Sequence, residues 1–123
     1  MRAATVVILA GALAAAPAAL AQSRQPVAIV IDPADPAVWA ADHLAAALTA
    51  SGIRVSRCAD ISLAPAGSGV IAAGGPELAR QAGVRLPSSP ESLAIAPARL
   101  GDRSVTAACG SDRRGLAYAL LEL

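Results

Sequence analysis

Val27-Ala28-Ile29-Val30-Ile31 is five apolar residues in a row, four of them β-branched, closed by Asp32-Pro33. Successive strand side chains point to opposite faces, so this run would be apolar on both. It predicts a strand sandwiched between two layers, as in parallel sheets covered by helices. The next segment has helical period. Asp35 is the expected N-cap, with Pro36 at the first helical position. Val38, Ala41, Leu44, Ala45 and Leu48 form one apolar stripe, the helix runs to about Ser51, and Gly52 is the expected C-cap. Ile53–Cys58 reads as a second strand and Val70–Ala73 as a third. Gly74-Gly75 turns the chain, and Pro76 opens a short helix ending near Gly83. Leu93–Ile95 and Ser104–Ala108 read as a hairpin about Gly101-Asp102. A last helix begins near Asp112. The order β-α-β-β-α-β-β-α predicts an α/β fold with α+β character: a mixed sheet with helices packed on it.

The amino terminus carries a different signal. Met1-Arg2 is a short positive start, Ala3–Ala16 is an apolar run, Pro17 breaks it, and Ala19-Leu20-Ala21 has the small-x-small spacing of a cleavage site. Residues 1–21 therefore read as a signal peptide, in preference to a buried helix or a retained anchor. Residues 22–26 read as a linker and 27–123 as one domain. Cleavage leaves 102 residues (123 − 21) beginning at Gln22, in a protein that is secreted or periplasmic. All ten basic residues are arginines. Losing Arg2 leaves nine against nine acidic side chains. So balanced a domain has no electrostatic footprint for nucleic acid or for anionic lipid, and no membrane contact is expected after cleavage. With one Trp, one Tyr and no Phe, no stacking platform is visible either.

Residues able to do chemistry are few. His43 is the only histidine, which excludes a two-histidine zinc motif. It is expected on the solvent side of the first helix, one turn after Trp39. Glycoside hydrolysis needs two carboxyl groups across the scissile bond. Glu77 falls in a helix first turn, Glu91 in a loop, Glu122 at the chain end, and the aspartates in turns and caps, so no pair is expected. Gly74-Gly75-Pro76 lacks the third glycine of a dinucleotide fingerprint and reads as a tight strand-to-helix turn. Cys58 and Cys109 each end a strand-like run. They read as buried thiols, with a disulfide as the alternative. Arg113 and Arg114 open a helix, where positive charge is mildly unfavourable. They are either solvated or paired with a specific partner such as a carboxylate of another domain. Gly115, inside that first turn, suggests close backbone packing.

The last helix is apolar almost all round, through Leu116, Ala117, Tyr118, Ala119, Leu120, Leu121 and Leu123. It is expected to be buried on more than one side. It has no C-cap, so the chain reads as the front of a longer protein, cut off in its last helix.

Pro90-Glu91-Ser92-Leu93-Ala94-Ile95, a hairpin, and then Gly110-Ser111-Asp112-Arg113-Arg114-Gly115 followed by Tyr118 and Leu123 resemble one accessory domain. It is the zincin-like N-terminal α/β domain of secreted glycoside hydrolases, found before the catalytic barrel in β-N-acetylhexosaminidases and α-glucuronidases. The family pattern is a pe-s-f-x-I strand and a G-x-D-x-R-G-x-x-Y-G-x-x-x-L helix, with Ala119 here where the family usually has Gly. The likeness spans about Val27 to Leu123. It implies a non-catalytic domain supporting a barrel that lies beyond this chain, with that barrel as its partner and carbohydrate as a possible ligand. It carries no catalytic, cofactor-binding or metal-binding residue onto this sequence, and without His-Glu-x-x-His the fold name implies no metal. Whether the full-length protein is an enzyme depends on that barrel. The alternatives are a stand-alone extracytoplasmic binding or interaction module and, more remotely, a nucleotide-binding domain.

Overall fold

The structure, a computed structural model, describes residues 25–123. The signal segment 1–21 and most of the linker lie outside them. The architecture is the expected α/β class: a mixed five-stranded sheet with three helices packed on it. The strands are β1 (Val27–Val30), β2 (Val55–Cys58), β3 (Gly69–Gly74), β4 (Leu93–Leu100) and β5 (Arg103–Gly110). The helices are α1 (Val38–Ala50), α2 (Pro76–Ala82) and α3 (Arg113–Glu122). Strand order is β2-β1-β3-β5-β4. The first four run parallel, and β4 pairs antiparallel with β5 at the edge.

The continuous apolar run behaves as its composition requires. Ala28 and Ile29 are fully buried on opposite faces of the sheet. One face carries Ile29, Ile31, Ala73 and Ala108 and is covered by α1 and α3. The other carries Ala28, Val30, Val70, Ala72 and Val105 beneath Ala64, with Ala107 and Cys109 beneath α2. Alanine dominates both layers, and the largest fully buried side chains are Ile29, Leu120 and Cys109. Small side chains let helices approach the sheet closely, but each buries little apolar area.

Local details depart from expectation by a residue or two. Asp35 Oδ1 accepts from the Ala37 N–H at 2.8 Å, so it holds a turn just ahead of the helix, and α1 starts at Val38 and not at Pro36. Ala37 and Ala40 join the buried stripe, while Val38, Ala45 and Leu48 are half-buried. At the other end Ser51 is the cap and Gly52 turns left-handed. The Gly52 N–H then reaches Thr49 O and the Ile53 N–H reaches Leu48 O, the double closure of a Schellman motif. The hairpin strands are eight residues each, longer than expected. Pro97 is tolerated in β4 because an edge strand leaves half its N–H groups unpaired. A 3-10 turn at Ile61–Leu63, unforeseen in the sequence, is capped by Asp60 Oδ1.

Cys58 and Cys109 are both free. They lie on β2 and β5, three strand spacings apart. At ~4.8 Å per spacing the separation is about 14 Å, twice what a disulfide spans. Cys109 is buried, and burial pushes its thiol pKa up; Cys58 is half-buried.

Helix α3 is covered on one side only. Gly115, Leu116, Ala117, Ala119 and Leu120 are buried, whereas Tyr118, Leu121 and Leu123 remain 44%, 44% and 43% exposed. Among the described residues, the second covered side expected from its composition is open to solvent. Leu120→Ala should therefore cost about 2–5 kcal/mol in urea unfolding. Its neighbour Leu121→Ala should stay within about 0.5 kcal/mol of the parent. Equal losses would contradict this placement of the helix.

Candidate functional site

In open α/β sheets, ligands bind outside the carboxyl ends of the strands, where the connections switch direction. Here that point lies between β1 and β3, because α1 leads from β1 to β2 on one side while β3 lies on the other. A cavity of about 240 Å³ sits there, lined by Asp35 and Pro36 after β1, Gly75 and Pro76 after β3, and Asp112 and Arg113 after β5. Beside it a cavity of about 210 Å³ is lined by Asp32, Asp60 and Gln81 among apolar residues. The topology thus gathers four aspartates at one edge of the sheet.

Their hydrogen bonds assign these carboxylates to the backbone. Asp32 Oδ1 accepts from the Ala34 N–H, Asp35 Oδ1 from Ala37 and Asp60 Oδ1 from Ser62, each holding a turn two residues on. This is the ordinary work of Asx turns. Asp112 does more. Its Oδ1 accepts from the Gly115 N–H at 2.9 Å, capping α3, and its Oδ2 accepts from the Glu91 N–H at 3.0 Å, across the sheet edge. These two bonds, the Gly115 one foremost, hold the Asp112 carboxyl below the ordinary value of 3.8.

Around Asp112 the two separated halves of the Pro90–Ile95 and Gly110–Leu123 resemblance interlock. The Ser111 N–H donates to Ser92 O at 2.9 Å, and the Ser92 N–H donates to Ser111 Oγ at 3.0 Å. The Ser111 hydroxyl donates onward to Ser89 O at 2.8 Å. The Arg114 guanidinium reaches Glu91 Oε2 at 3.2 Å, a solvent-exposed pair. Glu91 itself sits at φ +58°, a left-handed conformation held by its bond to Asp112. Two glycines make the approach possible. A Cβ on Gly115 would lie 2.1 Å from Ser92 O, and one on Gly110 would lie 1.9 Å from Leu116 N.

The other singled-out residues do not converge. Glu77, in the first turn of α2, pairs with Arg80 one turn later. Glu122 is exposed at the end of α3. His43 and Trp39 are exposed on α1, Trp39 by 57%. Arg114 has its carboxylate within this chain, whereas the Arg113 guanidinium makes no hydrogen bond or ion pair among the described residues. Among them, too, no group of three metal-ligating side chains occurs, and no helix is long and apolar enough to cross a membrane. Sequence reasoning missed Arg103. Its guanidinium donates to Ala64 O, Pro65 O and Ser68 O at 3.1–3.4 Å, tying the loop before β3 to the hairpin. Its only sequence signal was an arginine directly after a hairpin turn. Compared with protein-family models and with curated proteins, the chain finds no match.

Two outcomes test this arrangement. Gly115→Ala should destabilise the fold by about 3 kcal/mol, because the new methyl meets backbone that cannot swing aside; a neutral effect by urea unfolding would contradict it. Asp112 has a depressed folded pKa, so its contribution is complete above the ordinary carboxylate range and is lost as pH falls through the folded value. Thermal melts from pH 6 to about pH 2 should show a shallower acid decline in Asp112→Asn than in the parent. Parallel declines would remove the carboxylate from this role.

Proposed function

We propose that this chain is a non-catalytic α/β domain of an exported carbohydrate-active hydrolase, which supports a catalytic barrel in the same polypeptide through α3. One observation carries the reading. In the motif that resembles the glycosidase accessory domain, Gly110, Asp112, Arg114 and Gly115 all serve the internal latch, whereas Tyr118 and Leu123 join no core cluster among the described residues and stay over two-fifths exposed. Motif residues without an intramolecular task are what an interdomain contact requires. The engagement of Asp32, Asp35, Asp60 and Asp112 in turns and caps supports a structural role over a hydrolytic one. The apolar Ala3–Ala16 run and the Ala19-Leu20-Ala21 site support export.

A stand-alone extracytoplasmic module is the competing reading. It is favoured by a core in which Ala119 and Leu120 are already fully buried without another domain. The coding sequence beyond the Leu123 codon separates the two. Repeating strand-helix units bearing paired carboxylates bear out the accessory role, and an immediate stop codon overturns it. At the protein level, the chain expressed alone should self-associate in sedimentation velocity, and Tyr118→Ser with Leu121→Ser should relieve this. A parent that stays monomeric up to high concentration would count against a docking role for α3. Mass spectrometry of the exported product should place the new N-terminus at Gln22.

A further inference from the structure

The amino-terminal edge of the sheet, opposite the latch, holds a cavity of about 270 Å³ that the accessory role does not use. Pro26, Pro65 and Ala66 wall it, and its polar side chains are Arg54, Ser56 and Ser68. Among the described residues, the Arg54 guanidinium and the two hydroxyls make no hydrogen bond or ion pair. Among the described residues no carboxylate lines the cavity. A second cation flanks it: Arg103 binds Pro65 O and Ser68 O, carbonyls of two wall residues. The frame is held by backbone bonds. The Val27 N–H donates to Arg54 O at 2.9 Å, the Gly69 N–H to Pro26 O at 2.8 Å, and the Ser68 N–H to Pro65 O at 3.2 Å.

Two arginines and two hydroxyl donors, with no carboxylate among the described lining residues, form a one-sided field that favours negative charge. The planar fork of Arg54 matches the paired oxygens of a carboxylate or phosphate group, and serine hydroxyls complete such a shell. We propose that this cavity binds a small oxyanion, with Arg54 as the charged contact, Ser56 and Ser68 as hydroxyl donors, and Arg103 setting the loop and the background potential. Such a site does not depend on the accessory-domain reading. Because Arg54 is exposed, the affinity is modest and salt-sensitive.

The test follows the amide resonances of Ser56, Ala66 and Ser68 in the full chain. Inorganic phosphate and, separately, acetate are titrated at an ionic strength held constant with sodium chloride. Saturable shifts confined to this edge are expected with phosphate. Saturation by acetate as well assigns the site to carboxylates too, and saturation by phosphate alone assigns it to doubly charged anions. Arg54→Gln should weaken binding at least about tenfold, and Arg113→Gln, at the other end of the sheet, should leave it unchanged. Among the described residues the Arg54 side chain makes no hydrogen bond or ion pair, so its variant should keep the parent spectrum away from the cavity. If it does not fold, Ser56→Ala replaces it, with weaker binding again expected. Shifts that rise linearly with both anions, or that persist equally in the variant, overturn the proposal.

Discussion

One carboxylate fastens the last helix to the sheet. Asp112 caps α3 by taking the Gly115 N–H with one oxygen and takes the Glu91 N–H with the other, so the capped start of α3 cannot leave the segment before β4 without losing the Glu91 bond. Ser111 repeats the connection one residue earlier, extending the β4–β5 pairing past its last strand residues. Everything α3 covers depends on this fastening. Ile29, Ala73 and Ala108 on the sheet and Ala41 and Leu44 on α1 share one cluster with Leu116 and Leu120.

Such a latch matters more here than in a protein with larger core side chains. Alanine methyls pack well but remove little surface from water, so the driving force per buried residue is small. Stability then rests on a few larger groups, Ile29 and Leu120 above all, and on polar bonds that fix where the elements lie. The close approach of Gly115 to Ser92 and of Gly110 to Leu116 comes from the same design. Small residues bring backbones together, and backbone bonds hold them there. On this view the acidic residues at the carboxyl edge of the sheet are fasteners, each holding backbone N–H groups in place.

Much of the fold was legible because it derives from period and punctuation. The uninterrupted Val27–Ile31 run fixes a doubly covered strand, the three- and four-residue spacing in α1 fixes its buried side, and Gly101-Asp102 fixes the hairpin. What was not legible depends on contacts between segments far apart in sequence. Nothing local in Arg103 says that it will bind three carbonyls more than thirty residues earlier. Nothing local in Glu91 says that it will turn left-handed to meet Asp112 twenty-one residues later. Periodicity alone also did not say which side of α3 meets the sheet: Ala117 and Ala119 point inward while Tyr118 and Leu121 point out. Arg114, which reads as either solvated or paired with a carboxylate of another domain, pairs with the exposed Glu91 of this one.

Native-state hydrogen exchange tests the central role of the latch most directly. In the parent protein the amides of Leu116 to Leu120 should exchange only with global unfolding, at the slow limit set by the β1 and β3 amides. In Asp112→Ala they should exchange faster than those strands, as α3 opens by itself. If α3 exchanges rapidly in the parent, or if Asp112→Ala leaves its protection equal to that of the central strands, the helix is held by something other than the Asp112 network.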